Sequence, residues 1–157
     1  MTPEKKQDFT RRITQANRTE LVVILYEILL VYIEDAMQAF EQNEKEVFVQ
    51  NLNMVRECIG QLRNSLDFQY SPSKNLFSIY IFADRELAKD IYGNKKENLE
   101  VLKKIFTKLH DAYEQISKED TSEPLMGHTQ SVYAGLTYSK NQLSETCDYD
   151  STRGYLA

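Results

Sequence analysis

The chain has 157 residues and a net charge of −5, from 24 acidic and 19 basic residues. That length is one domain's worth, enough to bury about two thirds of the surface the unfolded chain exposes. Acids and bases are mixed along it, so there is no electrostatic footprint for a phosphate backbone and nucleic acid is excluded as an expected partner. Cys58 and Cys147 have neither the C-x-x-C spacing of a metal or redox site nor the density of a disulfide scaffold, which suits a reducing compartment.

The start, M-T-P-E-K-K-Q-D-F-T-R-R-I, carries no apolar stretch after its basic residues, so an ordinary secretory signal is not expected and a cytoplasmic location is. Glu4 and Asp8 argue against an organellar transit peptide. Residues 1–16 read as a short ordered arm, in which Phe9 and Ile13 stand four apart and share one face.

The first long helix is expected over about 18–42, because Asn17 and Glu20 have the spacing at which a cap side chain and a reaching Glu satisfy each other's free amides. From Leu21 to Ile33 it is apolar around almost its whole circumference, with Glu27 the sole charge. A membrane span is excluded, since thirteen residues at 1.5 Å each cover about 20 Å of a core roughly 30 Å thick. Leu21, Leu25, Ile28, Tyr32, Ala36 and Ala39 form one stripe, and Val22, Ile24, Leu29 and Val31 form a second, one more than a core requires.

A second helix is expected over about 44–68, with Phe48, Leu52, Val55, Ile59, Leu62 and Leu66 alternating by four and three. Ser71-Pro72-Ser73 restarts the chain into a third helix, about 72–92, whose inward set is Leu76, Tyr80, Ala83, Leu87 and Ile91. Phe77, Ile79, Ile81 and Phe82 add apolar surplus on its other faces. Gly93-Asn94 ends it, and a fourth, one-sided amphipathic helix covers about 95–118 through Leu99, Leu102, Phe106, Leu109, Tyr113 and Ile116. Four such helices with short connections predict an all-α, antiparallel four-helix bundle over 17–120. Residues 121–157 hold few large aliphatics and many Ser, Thr, Asn and Asp, and read as a mostly disordered, flexible tail.

Convergent catalytic groups are missing from this pattern. His110 and His128 lack a second ligand at metal spacing, and Cys58 sits beside Ile59 in an apolar repeat, where a thiol acts as a small hydrophobe. Glu27, Glu34, Asp35 and Glu57 lack the E-x-x-H pairs of a di-metal bundle, so Glu27 is expected to reach the surface or pair with a base. No phosphate loop or nucleophile elbow occurs. The expectation is therefore no catalytic residue, no metal, no cofactor, no small-molecule substrate and no stable membrane insertion. Apolar surplus on the first and third long helices points to binding, because contiguous exposed apolar patches mark interaction sites.

L-V-V-I-L-Y-E-I-L-L, at 21–30, resembles the L-x-x-x-L-Y-(D/E) signature of the flagellin-specific export chaperones, the FliS family. S-L-D-F at 65–68, N-L-F-S-I-Y-I-F-A-D-R-E-L at 75–87 and N-K-K-E-N-L-E-V-L at 94–102 follow at family-like intervals, so the match extends over about residues 9–117. The resemblance implies a cytoplasmic chaperone that binds the C-terminal segment of flagellin, prevents its premature polymerisation and delivers it to the flagellar type III export gate. Leu21, Leu25 and Tyr26 match the first signature, Leu66 and Asp67 the second, and Asn75, Leu76 and Tyr80 the third. With Leu29 and Ile79 from the surplus stripes and Phe9 and Ile13 from the arm, these are the expected partner-binding residues. Ala16-Asn17-Arg18-Thr19 departs from the family's usual T-A-S/T-P, Ile28-Leu29 replaces a glycine-containing stretch, and Phe9 stands for the usual tyrosine. The alternative left open by the residues alone is a self-associating helical adaptor without flagellin specificity.

Overall fold

The computed structural model describes residues 1–126. Five helices follow one another: α1 (Pro3–Gln15), α2 (Arg18–Glu41), α3 (Lys45–Asn64), α4 (Pro72–Gly93) and α5 (Leu99–Glu119). The arm is thus a helix in its own right, with Thr2 as its cap and Pro3 in its first turn. Among the described residues there is no strand, and no helix is long and apolar enough to cross a membrane.

Local chemistry sets the helix ends. The box at the start of α2 is closed in both directions: Asn17 Oδ1 accepts from the Glu20 amide at 2.8 Å, and Glu20 Oε2 accepts from the Asn17 amide at 2.9 Å. Asn43 (φ 59°) and Asn94 (φ 49°) take the left-handed conformation at the turns after α2 and α4, which asparagine adopts more readily than most residues. Helix α3 ends at Asn64, four residues before the expected 68. Ser65 Oγ donates back to the Leu62 carbonyl at 2.8 Å, and Asp67 accepts from the Gln69 amide and, through its carbonyl, from Ser73 Oγ. Helix α5 starts at Leu99 rather than about 95 because the buried Asp90 carboxylate takes the Asn98 backbone amide at 3.3 Å and its Nδ2 at 2.9 Å, making the approach a tied turn.

Helix α2 is the centre. It packs against α3 and α5, carries α1 on a further side, and α3 in turn carries α4. That is four-helix-bundle packing with the arm laid over it. The core joins Leu29, Ile33 and Ala36 of α2 to Phe48, Leu52, Val55 and Ile59 of α3, Leu76, Ala83 and Leu87 of α4, and Leu99, Leu102 and Phe106 of α5. A smaller cluster, Phe9 and Ala16 over Ile24, is bordered by Ile13, Leu21, Ile28 and Val31. Three of the four residues of the second stripe of α2 are used within the chain, Leu29 fully buried in the main core and Ile24 and Val31 under the arm, while Val22 is only half-buried beside the core. Glu27, the charge inside the apolar run, receives both terminal nitrogens of Arg12 at 2.5 and 2.7 Å, a bidentate pair of the stronger kind.

Thr121–Leu125, the first residues of the expected tail, carry no helix or strand. They run back along the α1–α2 joint, where the Leu125 amide donates to the Ala16 carbonyl at 3.0 Å. Composition missed this because the contacts are made by backbone groups and by Asn17 and Thr19. The remainder of the expected tail, 127–157, lies outside the described residues.

Truncating Leu52, fully buried in α3, should cost about 2–5 kcal/mol of unfolding free energy. Lys103→Ala removes one exposed pair with Glu34 at 3.1 Å and should stay within about 1 kcal/mol of wild type. Urea unfolding of the two variants checks the contrast.

Candidate functional site

Three sides of the bundle are close-packed. The fourth, between α4 and α5, is not among the close helix pairs. Helix phase shows what faces that gap. On α4 the residues one position after the inward set include Asp84, which accepts from Arg56 of α3 at 2.7 Å, so that flank, with Phe77 and Ile81, faces α3. The flank one position before the inward set, Asn75, Ile79 and Phe82, consequently faces α5. On α5, Lys103 and His110 lie near Glu34 and Glu27 of α2, so the opposite flank, Val101 and Ile105, faces α4. Phe82 is 40% exposed and Val101 53%. The seam has apolar edges that nothing in the described chain covers.

The seam deepens at one end into a groove of about 430 Å³. Val22 of α2, Leu62 and Leu66 of α3, Leu76 and Tyr80 of α4, and Tyr113 and Ile116 of α5 supply its apolar lining, while Arg18, Thr19, Asp67 and Ser73 form polar edges. Its floor is set by Tyr26 and Tyr80, whose hydroxyls meet at 2.5 Å from α2 and α4. Tyr26 also lies 5.6 Å from the Tyr113 ring and 6.3 Å from that of Phe106, within the range of favourable aromatic pairs. Burial raises the pKa of both phenols, that of Tyr80 to about 12, so the bridge is neutral near pH 7. Each buried hydroxyl has the other as partner, which is why two tyrosines sit in an otherwise apolar core.

The expected partner-binding residues fall into separate groups. Leu66, Asp67, Leu76 and Tyr80 line the groove together, and Tyr26 touches it from beneath through Tyr80. Asn75 is exposed and Ile79 half-buried on the seam flank of α4. Phe9, Ile13 and Leu21 belong instead to the arm's contact with α2, on a different side. Leu25 is half-buried against the main core and Leu29 is enclosed in it, so Leu29 supports the site without reaching its surface. Sequence reasoning missed Val101 and placed Tyr113 and Ile116 only in the core. The signal available was that α5 carries Val101 and Ile105 one residue before Leu102 and Phe106, which broadens its apolar face beyond a single stripe.

Among the described residues no group of His, Cys, Asp or Glu is placed to hold a metal ion. Burial pushes the Cys58 thiol up to about 11, far from the thiolate a nucleophile requires. What the geometry offers is an apolar trough with a few polar edges, the form of a site that takes a peptide chain.

The fold is a four-helix bundle that carries an N-terminal helix and is open along its α4/α5 side. The family model described as flagellar protein FliS matches residues 1–120, and the chain belongs to that family, whose members are flagellar export chaperones. No curated protein matches the chain.

Removing one hydroxyl of the floor should be worse than removing both. Tyr26→Phe or Tyr80→Phe alone leaves a buried hydroxyl without its partner and should cost about 1–3 kcal/mol. The double variant should cost less than either single variant, and a thermodynamic cycle from urea unfolding measures the coupling directly.

Proposed function

We propose that the protein is a cytoplasmic export chaperone for flagellin, holding the C-terminal segment of its client in the α4/α5 seam, preventing premature polymerisation and delivering the client to the flagellar export gate. The observation that carries this reading is the seam itself: apolar edges from two helices over a groove whose lining includes Leu66, Asp67, Leu76 and Tyr80 of the signature stretches. Helical stretches of an otherwise unfolded chain can place apolar anchors at i, i+3 and i+4 into such a groove. Ordering the client costs free energy, and the apolar surface it covers, at about 25 cal/mol per Å², offsets that cost.

Charge placed on the seam should therefore act on binding and spare the fold. Ile79→Asp and Phe82→Asp, both on partly exposed positions, should weaken flagellin binding at least about tenfold, because a carboxylate is left desolvated in an apolar contact. Titration calorimetry with the cell's own flagellin measures the affinity, and circular dichroism reports helicity. Unchanged affinity in both variants would remove the seam from the client site. A concentration-dependent oligomer that ignores flagellin would favour the self-associating adaptor instead.

The arm is the second element of the proposal. Phe9, Ile13, the Arg12–Glu27 pair and the Met1 ammonium on Asp35 hold it over α2, a contact of one buried aromatic and two partly exposed ion pairs. Full burial of such an aromatic is worth about 1.5–3 kcal/mol, and ordering the arm opposes it, so a wrapped client can displace it. Deleting residues 1–15 should leave α2–α5 folded, raise flagellin affinity modestly and make the free protein more prone to associate. Light scattering and calorimetry on the truncated chain check this, and loss of the helical signal would show that the arm is a permanent part of the core.

A further inference from the structure

Only Ala16 and Asn17 separate the arm from the central helix, since α1 ends at Gln15 and α2 begins at Arg18. Any swing of the arm away from α2 has to be made by rotation about the backbone bonds of these two residues. Ala16 is extended (φ −81°, ψ 142°) and each of the pair is 3% exposed. Ala16 packs with Phe9 and Ile24, and the segment that follows α5 closes hydrogen bonds onto both residues.

The contacts are specific to the joint. The Leu125 amide donates to the Ala16 carbonyl at 3.0 Å. Asn17 Nδ2 donates to the carbonyls of Asp120 at 3.3 Å and Ser122 at 3.4 Å, while its Oδ1 caps α2. Thr19 Oγ1 donates to Asp120 Oδ2 at 2.5 Å, and the other carboxylate oxygen, Oδ1, accepts from the Ser122 amide at 3.0 Å, which shapes the turn. Rotation about φ of Asn17 turns the Ala16 carbonyl off the Leu125 amide, and rotation about ψ of Asn17 moves the side-chain amide that reaches Asp120 and Ser122. With these bonds in place the arm can turn only about φ and ψ of Ala16, half of the soft torsions the joint offers.

We propose that Asp120–Leu125 is a clasp on the α1–α2 joint and that it sets how readily the arm leaves α2. One of its anchors, Thr19, also lines the client groove beside Val22 and Ile116. A chain seated at that end of the groove competes for the space around Thr19 and Asp120, so groove occupancy and arm release are coupled through the clasp. The coupling rests on the proposed client site; the clasp itself does not, and the two are tested separately.

Two substitutions open the clasp and leave the Asn17 cap untouched. Leu125→Pro removes the donor to Ala16 at a residue whose side chain is exposed, with Leu125→Ala as the control that keeps the amide. Thr19→Val removes the hydroxyl that holds Asp120 and keeps the shape. Hydrogen exchange of the full chain, read by mass spectrometry without any client, should show residues 3–15 exchanging about two- to tenfold faster in Leu125→Pro and Thr19→Val than in wild type or Leu125→Ala, the range that a single net hydrogen bond supports. Rates in α3 and α4 should not change. Arm exchange equal to wild type in both variants would overturn the clasp, and so would equal acceleration in all five helices, which would make the segment part of the global fold. In a second arm, flagellin added to wild type should accelerate exchange in 3–15, and Leu125→Pro, which lies outside the groove lining, should bind flagellin more tightly than Leu125→Ala. Flagellin that binds with the arm still protected would overturn the coupling alone, whereas flagellin that does not bind would overturn the client reading and leave the client-free comparison to decide the clasp.

Discussion

A helix that is apolar on every side has to be covered on every side, and α2 is that helix. Leu29 and Ile33 take α3 and α5 against them, Ile24 takes Phe9 and Ala16, and Tyr26 reaches across to Tyr80. Covering α2 consumes one face of each remaining helix. Once α3 and α5 are in place beside it, α4 packs on α3 and meets α2 across the bundle through the tyrosine bridge, with no close pairing to α5. The open seam is thus a consequence of how α2 is enclosed.

Much of this was legible in the sequence. The capping box at Asn17 and Glu20, the seam of α3 from Phe48 to Leu62, the left-handed Asn94 and the inward set of α4 all follow from spacing and local chemistry. Glu27 was expected to reach the surface or find a base, and it found Arg12. Which stripe serves the core and which serves a partner was not legible, because periodicity gives the angle between residues and not what lies opposite. Leu29, read as a docking residue, is interior, while the exposed surplus lies on α4 and at Val101.

The same limit explains the clasp. Thr121–Leu125 have the composition of a solvated tail, and nothing apolar in them predicts order. They and Asp120 before them are held by the Ala16 carbonyl, the spare hydrogens of a capping asparagine and a threonine hydroxyl, each bond spanning more than a hundred positions. Such contacts leave no periodic trace, since every backbone carries the groups that make them. The departure from the family pattern at Ala16–Thr19 falls on these anchors, so this stretch does structural work that the signature alone would not suggest.

Adjacent residues on α4 give the most direct test of the account. Ile81 and Phe82 are both about 40% exposed, yet helix phase turns Ile81 toward α3 and Phe82 toward the seam. Benzoylphenylalanine introduced separately at positions 81 and 82, followed by irradiation of the complex with flagellin, compares the two flanks in one measurement. The account predicts a crosslink to flagellin from position 82 and little or none from position 81. A crosslink from position 81 of equal or greater yield would place the client on the α3 side and contradict the seam as its seat.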